Sequence, residues 1–353
     1  MKRSIPNLSM YDAPWSTTEF NGMPYRRLGN SGLWVSNVGL GTWKFGYPET
    51  GDGSRVDARN AFQIFDKAVD LGVTFWDTAN RYNAASGNSE RLIGDWLSVN
   101  PRQRRNIVIA TKLFGGMDGT TPNHSRLSRT NILESVYSSL DRLGSDWIDL
   151  LYFHAYDYET DIEESLLAVE DLIRQDVVRY FAVSNFTVEN LLAYEKKSQC
   201  LSKRTKITAV QNRYDVIDRE STEALGVLEY CKEANISFIA YSPLARGLLT
   251  SRYLDKNKIG KGDRLFDEQA VENLCSPERM AVVQNLNKLA QRFDMDISQL
   301  VLAYMLTIPG MGPVIPASSN VDQLQSNALS GKLQLSEEVL KAISSVVQSP
   351  KMA

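Results

Sequence analysis

The sequence of 353 residues predicts an α/β protein, specifically a (β/α)8 barrel of the TIM type. Three observations support this fold class. Eight short β-rich runs recur at roughly constant intervals, segments with helical periodicity lie between them, and most runs are apolar throughout instead of alternating. Continuous apolar runs are typical of parallel strands that are covered on both faces. Eight strand–helix units fit a closed barrel better than an open sheet.

The predicted strands and helices follow one another in a regular order. The eight runs are residues 35–43, 73–79, 106–112, 148–154, 178–185, 207–214, 236–243 and 312–318. The first intervening segment, 57–72, predicts an amphipathic helix with Asp57 as N-cap and Gly72 just past its end. Its predicted buried face comprises Ala61, Phe62, Phe65, Ala68 and Val69.

Three segments depart from a minimal barrel. Residues 25–36 contain two short β-like runs around a Gly-Asn-Ser-Gly turn, which predicts a β-hairpin that covers the bottom of the barrel. Residues 245–269 form a long polar segment after the seventh strand, and such a loop is usually a functional lid or disordered. We expect an N-terminal extension over residues 1–22 and a single barrel domain over 23–345.

Composition excludes several classes of function. The formal net charge is −3 with cations spread along the chain, so no basic stripe for nucleic acid is expected. The three cysteines include no CxxC pair, which argues against disulfides and a zinc site and favours a cytoplasmic location. The N-terminus lacks the apolar run of a signal peptide, and no stretch is long enough to span a bilayer. The predicted partner is a small molecule, and the oligomeric state is left open.

Polar side chains stand at the ends of the predicted strands, where barrel enzymes build their active sites. Asp77 ends the second strand and Tyr82 follows it, Lys112 ends the third, and His154 ends the fourth. Each residue alone has a simple structural explanation: a helix cap, a packing ring, a snorkelling lysine or a satisfied core histidine. Four such groups on three adjacent strand ends are harder to explain in that way.

The chemistry of these four groups indicates proton transfer to an oxygen. Tyrosine has a free pKa of about 10, and a lysine ammonium beside it favours the phenolate. Asp77 would hold that ammonium, and His154 would orient a carbonyl or hydroxyl oxygen. No nucleophile and no metal site is evident. The matching reaction is hydride transfer, which needs a nicotinamide cofactor.

The chain resembles the aldo-keto reductases from about Tyr25 to about Leu333. The resemblance rests on "GLGTW" (39–43), "DTANRY" (77–82), "ATK" (110–112), the long stretch 127–154 that ends in "LLYFH", "VSNF" (183–186) and "YSPLARGLLTSRY" (241–253). It implies a catalytic tetrad of Asp77, Tyr82, Lys112 and His154. Tyr82 would be the general acid in reduction and the general base in oxidation.

The resemblance also implies a site for NADP(H) or NAD(H). The residues that would contact the dinucleotide are Gly41, Thr42, Trp43, Asp77, Ser184, Asn185, Gln211, Tyr241, Ser242, Leu244, Gly247, Arg252, Ser318, Ser319, Asn320, Gln323 and Asn327. Members of the family that use NADP often carry a Lys or Arg in the strand-eight segment. Here Ala317, Asn320 and Gln323 are uncharged, which leaves NAD(H) open although the family favours NADP(H). The glycine that usually follows the catalytic tyrosine is Asn83 here.

The resemblance places the substrate pocket among the loops after strands one, two, four and seven. The expected substrate residues are Trp43, Asn80, Arg81, Phe114, His124 and Tyr156, with Lys44, Phe45 and Asp157 as further candidates. Aromatic walls with several polar groups would suit a sugar, a polyol or a polar ketone. Because little chain follows the last predicted helix, we expect an open site.

Three hypotheses for function follow. The first, favoured by the complete tetrad, is an oxidoreductase acting on an aldehyde, ketone or sugar, such as a sugar dehydrogenase. The second is a cofactor-binding regulatory subunit like the potassium-channel β subunits, which share the fold. The third is an unrelated barrel enzyme with a phosphorylated substrate, which leaves the Asp, Tyr, Lys and His unexplained. Fold alone does not choose among them.

Overall fold

The computed structural model describes residues 16–117, 119–201 and 205–348. Most of the expected N-terminal extension, residues 1–15, lies outside this range. The strands are β1 (Glu19–Phe20), β2 (Met23–Arg27), β3 (Trp34–Ser36), β4 (Leu40–Gly41), β5 (Phe75–Asp77), β6 (Val108–Leu113), β7 (Ile148–Phe153), β8 (Val178–Ser184), β9 (Ile207–Arg213), β10 (Ser237–Tyr241) and β11 (Met311–Ile315).

Helices flank the strands on the outside. They are α1 (Ala58–Asp70), α2 (Tyr82–Ala85), α3 (Asn88–Val99), α4 (Arg129–Leu143), α5 (Ile162–Arg174), α6 (Val188–Cys200), α7 (Val227–Ala234), α8 (Arg264–Asp267), α9 (Val271–Leu274), α10 (Pro277–Arg292), α11 (Ile297–Met305), α12 (Val321–Ser330) and α13 (Glu337–Gln348). The Asp57 side chain accepts a hydrogen bond from the Asn60 N–H, as predicted for an N-cap of α1. The buried face of α1 includes Ile64, whereas Phe62 and Val69 are only half-buried.

The predicted (β/α)8 barrel is confirmed. Strands β4 to β11 form one sheet of eight parallel strands in chain order. Its two edges meet through parallel bridges from Val38 to Val314 and from Gly41 to Ala317, which bring the sheet close to full closure. Because the strands are parallel, all of their carboxyl ends face one mouth.

The N-terminal hairpin is also confirmed, with one additional strand. Strands β2 and β3 pair antiparallel, and β1 pairs with β2 inside the range expected for the extension. The boundary between extension and barrel domain therefore stays a prediction. Leu28 and Val35 of the hairpin are fully buried against the residues that fill the barrel, so the hairpin closes its bottom. The barrel residues in this cluster are Phe75, Ala110, Leu150, Tyr152, Ala182, Ala209, Ile239 and Ile315.

Two predictions about segments need correction. The first predicted strand, 35–43, is divided: Val35 and Ser36 pair with β2, and only Leu40–Gly41 joins the barrel. The segment 245–269 is built from short 3-10 turns and α8. The buried Tyr253 stabilises it, because its hydroxyl accepts a hydrogen bond of 3.0 Å from the Leu265 N–H.

Candidate active site

The four residues of the predicted tetrad meet at the mouth of the barrel. The Lys112 ammonium is 2.6 and 2.7 Å from the two Asp77 carboxylate oxygens and donates to the Tyr82 hydroxyl at 2.9 Å. The Tyr82 hydroxyl is also 3.4 Å from Asp77 Oδ1. The ring of His154 lies edge-on to Tyr82, with 6.1 Å between ring centroids. Neighbouring parallel strands β5, β6 and β7 bring these groups together.

Burial controls the protonation of the tetrad. Lys112 and Asp77 are 1% and 3% exposed. Burial lowers the pKa of Lys112, an effect that the Asp77 charge opposes. Burial, followed by the charge of Asp77, raises the pKa of Tyr82 well above 10, so the expected lowering by Lys112 is not found in this structure. Burial, then the charges of Lys112 and Arg81, lowers the pKa of His154 to about 3.

A left-handed turn directs Tyr82 toward Lys112. The residues after it, Asn83 and Ala84, both have φ of 56°. Glycine and asparagine adopt this conformation more readily than other residues, which explains why Asn83 can replace the glycine usual in the family. The Asn83 amide also donates to the Phe45 carbonyl at 2.6 Å, which ties the turn to the loop after β4.

Polar side chains at the ends of β8 and β10 form a connected group beside the tetrad. The Asn185 amide donates to the His154 carbonyl at 2.8 Å and to the Ser184 hydroxyl at 3.2 Å. The Tyr241 hydroxyl donates to the amide oxygen of Asn185 at 2.9 Å. Asn185 adopts φ of 58° and Ser242 φ of 55°. Such left-handed residues cost energy and cluster at functional sites.

Gln211 connects this group to the tetrad, a contact that the sequence did not indicate. Its amide donates to Asp77 Oδ2 at 2.7 Å, and its backbone carbonyl accepts from the Ser184 hydroxyl at 2.8 Å. Asp77 therefore receives hydrogen bonds from both Lys112 and Gln211. These bonds fix the orientation of the carboxylate.

Residues expected to contact phosphates mostly bind to their own loops. Arg252 forms a two-pronged ion pair with Asp263, at 2.5 and 2.9 Å, so its charge is neutralised in this structure. The Leu244 carbonyl, just before the segment 245–269, accepts a hydrogen bond of 2.8 Å from the Gly247 N–H, which closes the first 3-10 turn. We infer that Arg252 must exchange a partner before it can reach a phosphate.

The strand-eight segment caps helix α12. The Asn320 side chain accepts from the Gln323 N–H at 2.9 Å, and the Gln323 side chain accepts from the Ser319 N–H at 2.9 Å. The buried Asn327 donates to the hydroxyl of Ser318 at 3.1 Å. The segment thus presents polar, uncharged groups at the N-terminus of a helix, which favours anions weakly.

The expected substrate residues divide into two groups, and the first consists of Arg81, Trp43, Asn80 and Phe114. Arg81 donates to the Gly116 carbonyl at 2.6 Å. Trp43 is 36% exposed, and the guanidinium carbon of Arg264 lies 4.5 Å from the centroid of the Trp43 ring. Both amide atoms of the fully buried Asn80 lack a hydrogen-bond partner. Phe114 is half-buried against the core.

The second group is occupied by packing or capping. The ring of Tyr156 packs against the rings of Tyr158, Phe186 and Tyr194, and Phe45 is a core residue. His124 hydrogen-bonds to the Thr121 hydroxyl, and Lys44 donates to the Gly53 carbonyl. The Asp157 carboxylate accepts from the Leu127 and Glu159 N–H groups. Phe45 and Asp157 are therefore unavailable to a substrate, because one is packed in the core and the other caps backbone groups.

Sequence reasoning missed a buried polar layer behind the tetrad, at the start of α3. The Ser89 hydroxyl lies 2.7 Å from the Thr42 hydroxyl and 2.9 Å from that of Thr78. Glu90 accepts from the Thr111 hydroxyl at 2.5 Å and from Arg142 Nε at 2.7 Å. Thr78 immediately follows Asp77, and Thr111 immediately precedes Lys112. The layer is therefore one residue from both charged members of the tetrad.

Two features are absent from the part of the chain that the structure describes. Within it, no three His, Cys, Asp or Glu side chains are grouped so that they could hold a metal ion. No described helix combines the length and apolar character needed to cross a membrane.

Comparisons with known proteins point to one family. The sequence profile of the Aldo/keto reductase family matches residues 37–348. The chain is 30% identical to the oxidoreductase YqkF of Bacillus subtilis, covering 92% of this chain and 96% of that one. It is 30% identical to the aldo-keto reductase str7 of Strobilurus tenacellus, covering 94% of each. It is also 31% identical to a probable voltage-gated potassium channel subunit beta of Arabidopsis thaliana, covering 93% and 97%.

Proposed function

The chain belongs to the aldo/keto reductase family of oxidoreductases, and from this premise we propose that it transfers a hydride between a nicotinamide dinucleotide and a carbonyl or alcohol substrate. Aldehydes, ketones and sugars are the substrate classes we expect. One observation carries the proposal: Lys112 contacts both the Asp77 carboxylate and the Tyr82 hydroxyl inside a buried site. That arrangement suits proton transfer to or from an oxygen.

Each tetrad residue has a definite role in this proposal. The raised pKa of Tyr82 keeps the phenol protonated near neutral pH, so it can donate a proton to a carbonyl oxygen in reduction. The Lys112 ammonium, held by Asp77, stabilises the phenolate that remains. A pKa of about 3 keeps His154 neutral, so its ring can orient the substrate oxygen without competing with Tyr82 as the proton donor.

The residues around the tetrad fit a nicotinamide cofactor, which the family generally uses and which supplies or accepts the hydride when bound. Ser184, Asn185 and Gln211 place hydroxyl and amide groups beside the tetrad, where they would have to exchange their present partners for a carboxamide. Tyr241 places an aromatic ring beside them.

We further propose that NADH binds at least as tightly as NADPH. A 2′-phosphate is normally met by charge-assisted hydrogen bonds from Lys or Arg. Ala317, Asn320 and Gln323 carry no charge, and Asp322 is acidic. Arg252 is engaged by Asp263. These observations favour a cofactor without the additional phosphate.

A second candidate is a cofactor-binding regulatory subunit, because one relative is named a probable potassium channel subunit beta. The complete tetrad favours catalysis over this role. Binding of cofactor without turnover of any carbonyl would favour the regulatory role instead.

The decisive experiment titrates the purified protein with NADH and, separately, NADPH, following quenching of protein fluorescence. It then measures cofactor oxidation with a panel of aldehydes, ketones and sugars. We expect both cofactors to bind, with an affinity for NADH at least equal to that for NADPH, and we expect turnover of at least one carbonyl compound. Tyr82→Phe should bind cofactor with unchanged affinity and lose turnover by about 100-fold or more, since the acid is removed. Absence of binding, or equal turnover by Tyr82→Phe, would contradict the proposal.

A further inference from the structure

Arg81 lies at the rim of the mouth, directly before Tyr82. Its side chain is exposed and spans from the loop after β5 to the loop after β6, where Nη1 donates to the Gly116 carbonyl at 2.6 Å. A Cβ at Gly115 would come within 2.5 Å of Arg81 Cδ, so this glycine leaves room for the arginine in its observed position. Arg81 is therefore seated against the loop and does not extend freely into solvent.

The charge of Arg81 has no carboxylate partner among the described residues. Among the described residues, six other arginines at the mouth form ion pairs with carboxylates. These pairs are Arg55 with Asp267, Arg126 with Glu159, Arg213 with Asp218, Arg246 with Glu268, Arg252 with Asp263 and Arg264 with Glu268. Arg81 donates one hydrogen bond to a backbone carbonyl, and a guanidinium has five N–H donors. It retains donors and a full charge for a ligand.

The other cationic and titratable groups of the tetrad do not compete for an anion. Lys112 is buried and held by both oxygens of Asp77. His154 is neutral near physiological pH, and Arg81 itself lies close enough to contribute to that neutrality. A negatively charged part of a ligand at this side of the mouth would therefore meet Arg81.

We propose that Arg81 selects carbonyl substrates that carry a carboxylate. The inference rests on the proposed function, because it assigns a substrate class to that same site. An arginine seated by backbone contacts binds a carboxylate through two parallel N–H donors, with little loss of side-chain freedom. The expected substrates are thus aldehydes or ketones of acids, whereas the sequence alone suggested sugars, polyols and polar ketones.

The test compares two aldehydes of nearly the same shape: 4-carboxybenzaldehyde and its methyl ester. Wild-type protein should reduce the acid with at least about 10-fold higher kcat/KM than the ester, because a charge-assisted hydrogen bond forms only with the acid. Arg81→Gln should lose about 10- to 100-fold in kcat/KM for the acid, mainly through KM, and less than about 3-fold for the ester. Arg59→Gln removes an exposed arginine on α1 and should change neither.

Each outcome decides between recognition and structure. Equal losses for acid and ester in Arg81→Gln would assign Arg81 to holding the loop after β6 and would overturn the proposal. Wild-type reduction of both aldehydes without preference would also overturn it, while leaving the proposed function intact. Turnover of no carbonyl would remove the proposed function and this inference with it. Should Arg81→Gln not fold, the wild-type KM still decides, because added salt should raise the KM for the acid alone.

Discussion

The floor and the rim of the barrel mouth differ in how their polar groups are satisfied. On the floor, Asp77, Lys112 and Gln211 are nearly inaccessible, and both Lys112 and Gln211 donate hydrogen bonds to Asp77 across three strands. On the rim, Arg252 pairs with Asp263 and the Ser319–Gln323 turn bonds to itself, all within single loops. These floor contacts join three strands of the barrel, whereas these two rim contacts each lie within one short stretch of chain.

This difference has consequences for energy and for binding. A buried charge must keep its partner, because removing one member leaves the other desolvated and unpaired. A rim charge can exchange a protein partner for a ligand at little cost, since water screens both states. The floor is therefore organised before any ligand arrives, whereas the rim can adapt to cofactor and substrate. Substitutions at the two levels should differ in size and in kind.

Lys112→Met should have the largest effect. It leaves the Asp77 carboxylate buried without a cation, with only the uncharged donors Gln211 and Tyr82 among its side-chain partners, so we expect a loss of about 3–5 kcal/mol in the free energy of unfolding. Turnover should fall by about 100-fold or more, because no cation stabilises the Tyr82 phenolate. Denaturant unfolding and steady-state kinetics measure the two effects.

Lys44→Met provides the matched control on the rim. Lys44 donates to the Gly53 carbonyl and lies 4.3 Å from the Trp43 ring centroid. The Lys44→Met substitution should lower the free energy of unfolding by less than about 1 kcal/mol, as is usual for exposed charges. Similar losses in both variants would remove the distinction between floor and rim.

The positions of the charged floor residues could be predicted from the sequence because strand periodicity determines them, whereas the contact between Gln211 and Asp77 could not. Asp77, Lys112 and His154 each end or follow an apolar run, and parallel strands bring such residues to one mouth. The fold and the meeting of the four tetrad residues follow from this pattern alone. The run 35–43 misled because Val35 and Ser36 are equally suited to a hairpin strand, and pairing with β2 decides their place.

No strand pattern in the sequence indicated the polar layer behind the floor or the ion pairs of the rim. Glu90 lies on a helix, where a charged residue ordinarily faces solvent, and its partner Arg142 belongs to a different helix. Arg252 and Asp263 are separated by a segment without periodicity. Contacts of this kind depend on how helices and loops pack, which single-residue patterns do not encode.

Glu90→Gln should have an intermediate effect and would extend the floor to this second layer. The Glu90 charge raises the pKa of Lys112. A neutral amide removes that support, so the Lys112 ammonium should be lost at lower pH. We expect about 10-fold slower reduction and an alkaline limb of the pH–rate profile displaced to lower pH. Glu134→Gln, an exposed acid near His124, should leave the limb in place.

Both readouts are needed to interpret Glu90→Gln. A lower rate with an unmoved alkaline limb would mean that Glu90 supports packing only. A displaced limb with an unchanged melting temperature would identify an electrostatic role that acts through Lys112.

Asp263→Asn should have the smallest effect and tests the rim directly. The amide cannot hold Arg252 as an ion pair, so the guanidinium becomes available to the cofactor phosphates. We expect the Kd for NADPH to fall by about 3- to 10-fold relative to that for NADH. Fluorescence titration of both cofactors measures the ratio. The double variant Asp263→Asn/Arg252→Gln should lose the gain, because the released cation is then absent. If the single variant binds NADPH no better, Arg252 is beyond reach of the 2′-phosphate. The proposal that NADH binds at least as tightly as NADPH then rests on the uncharged strand-eight segment alone.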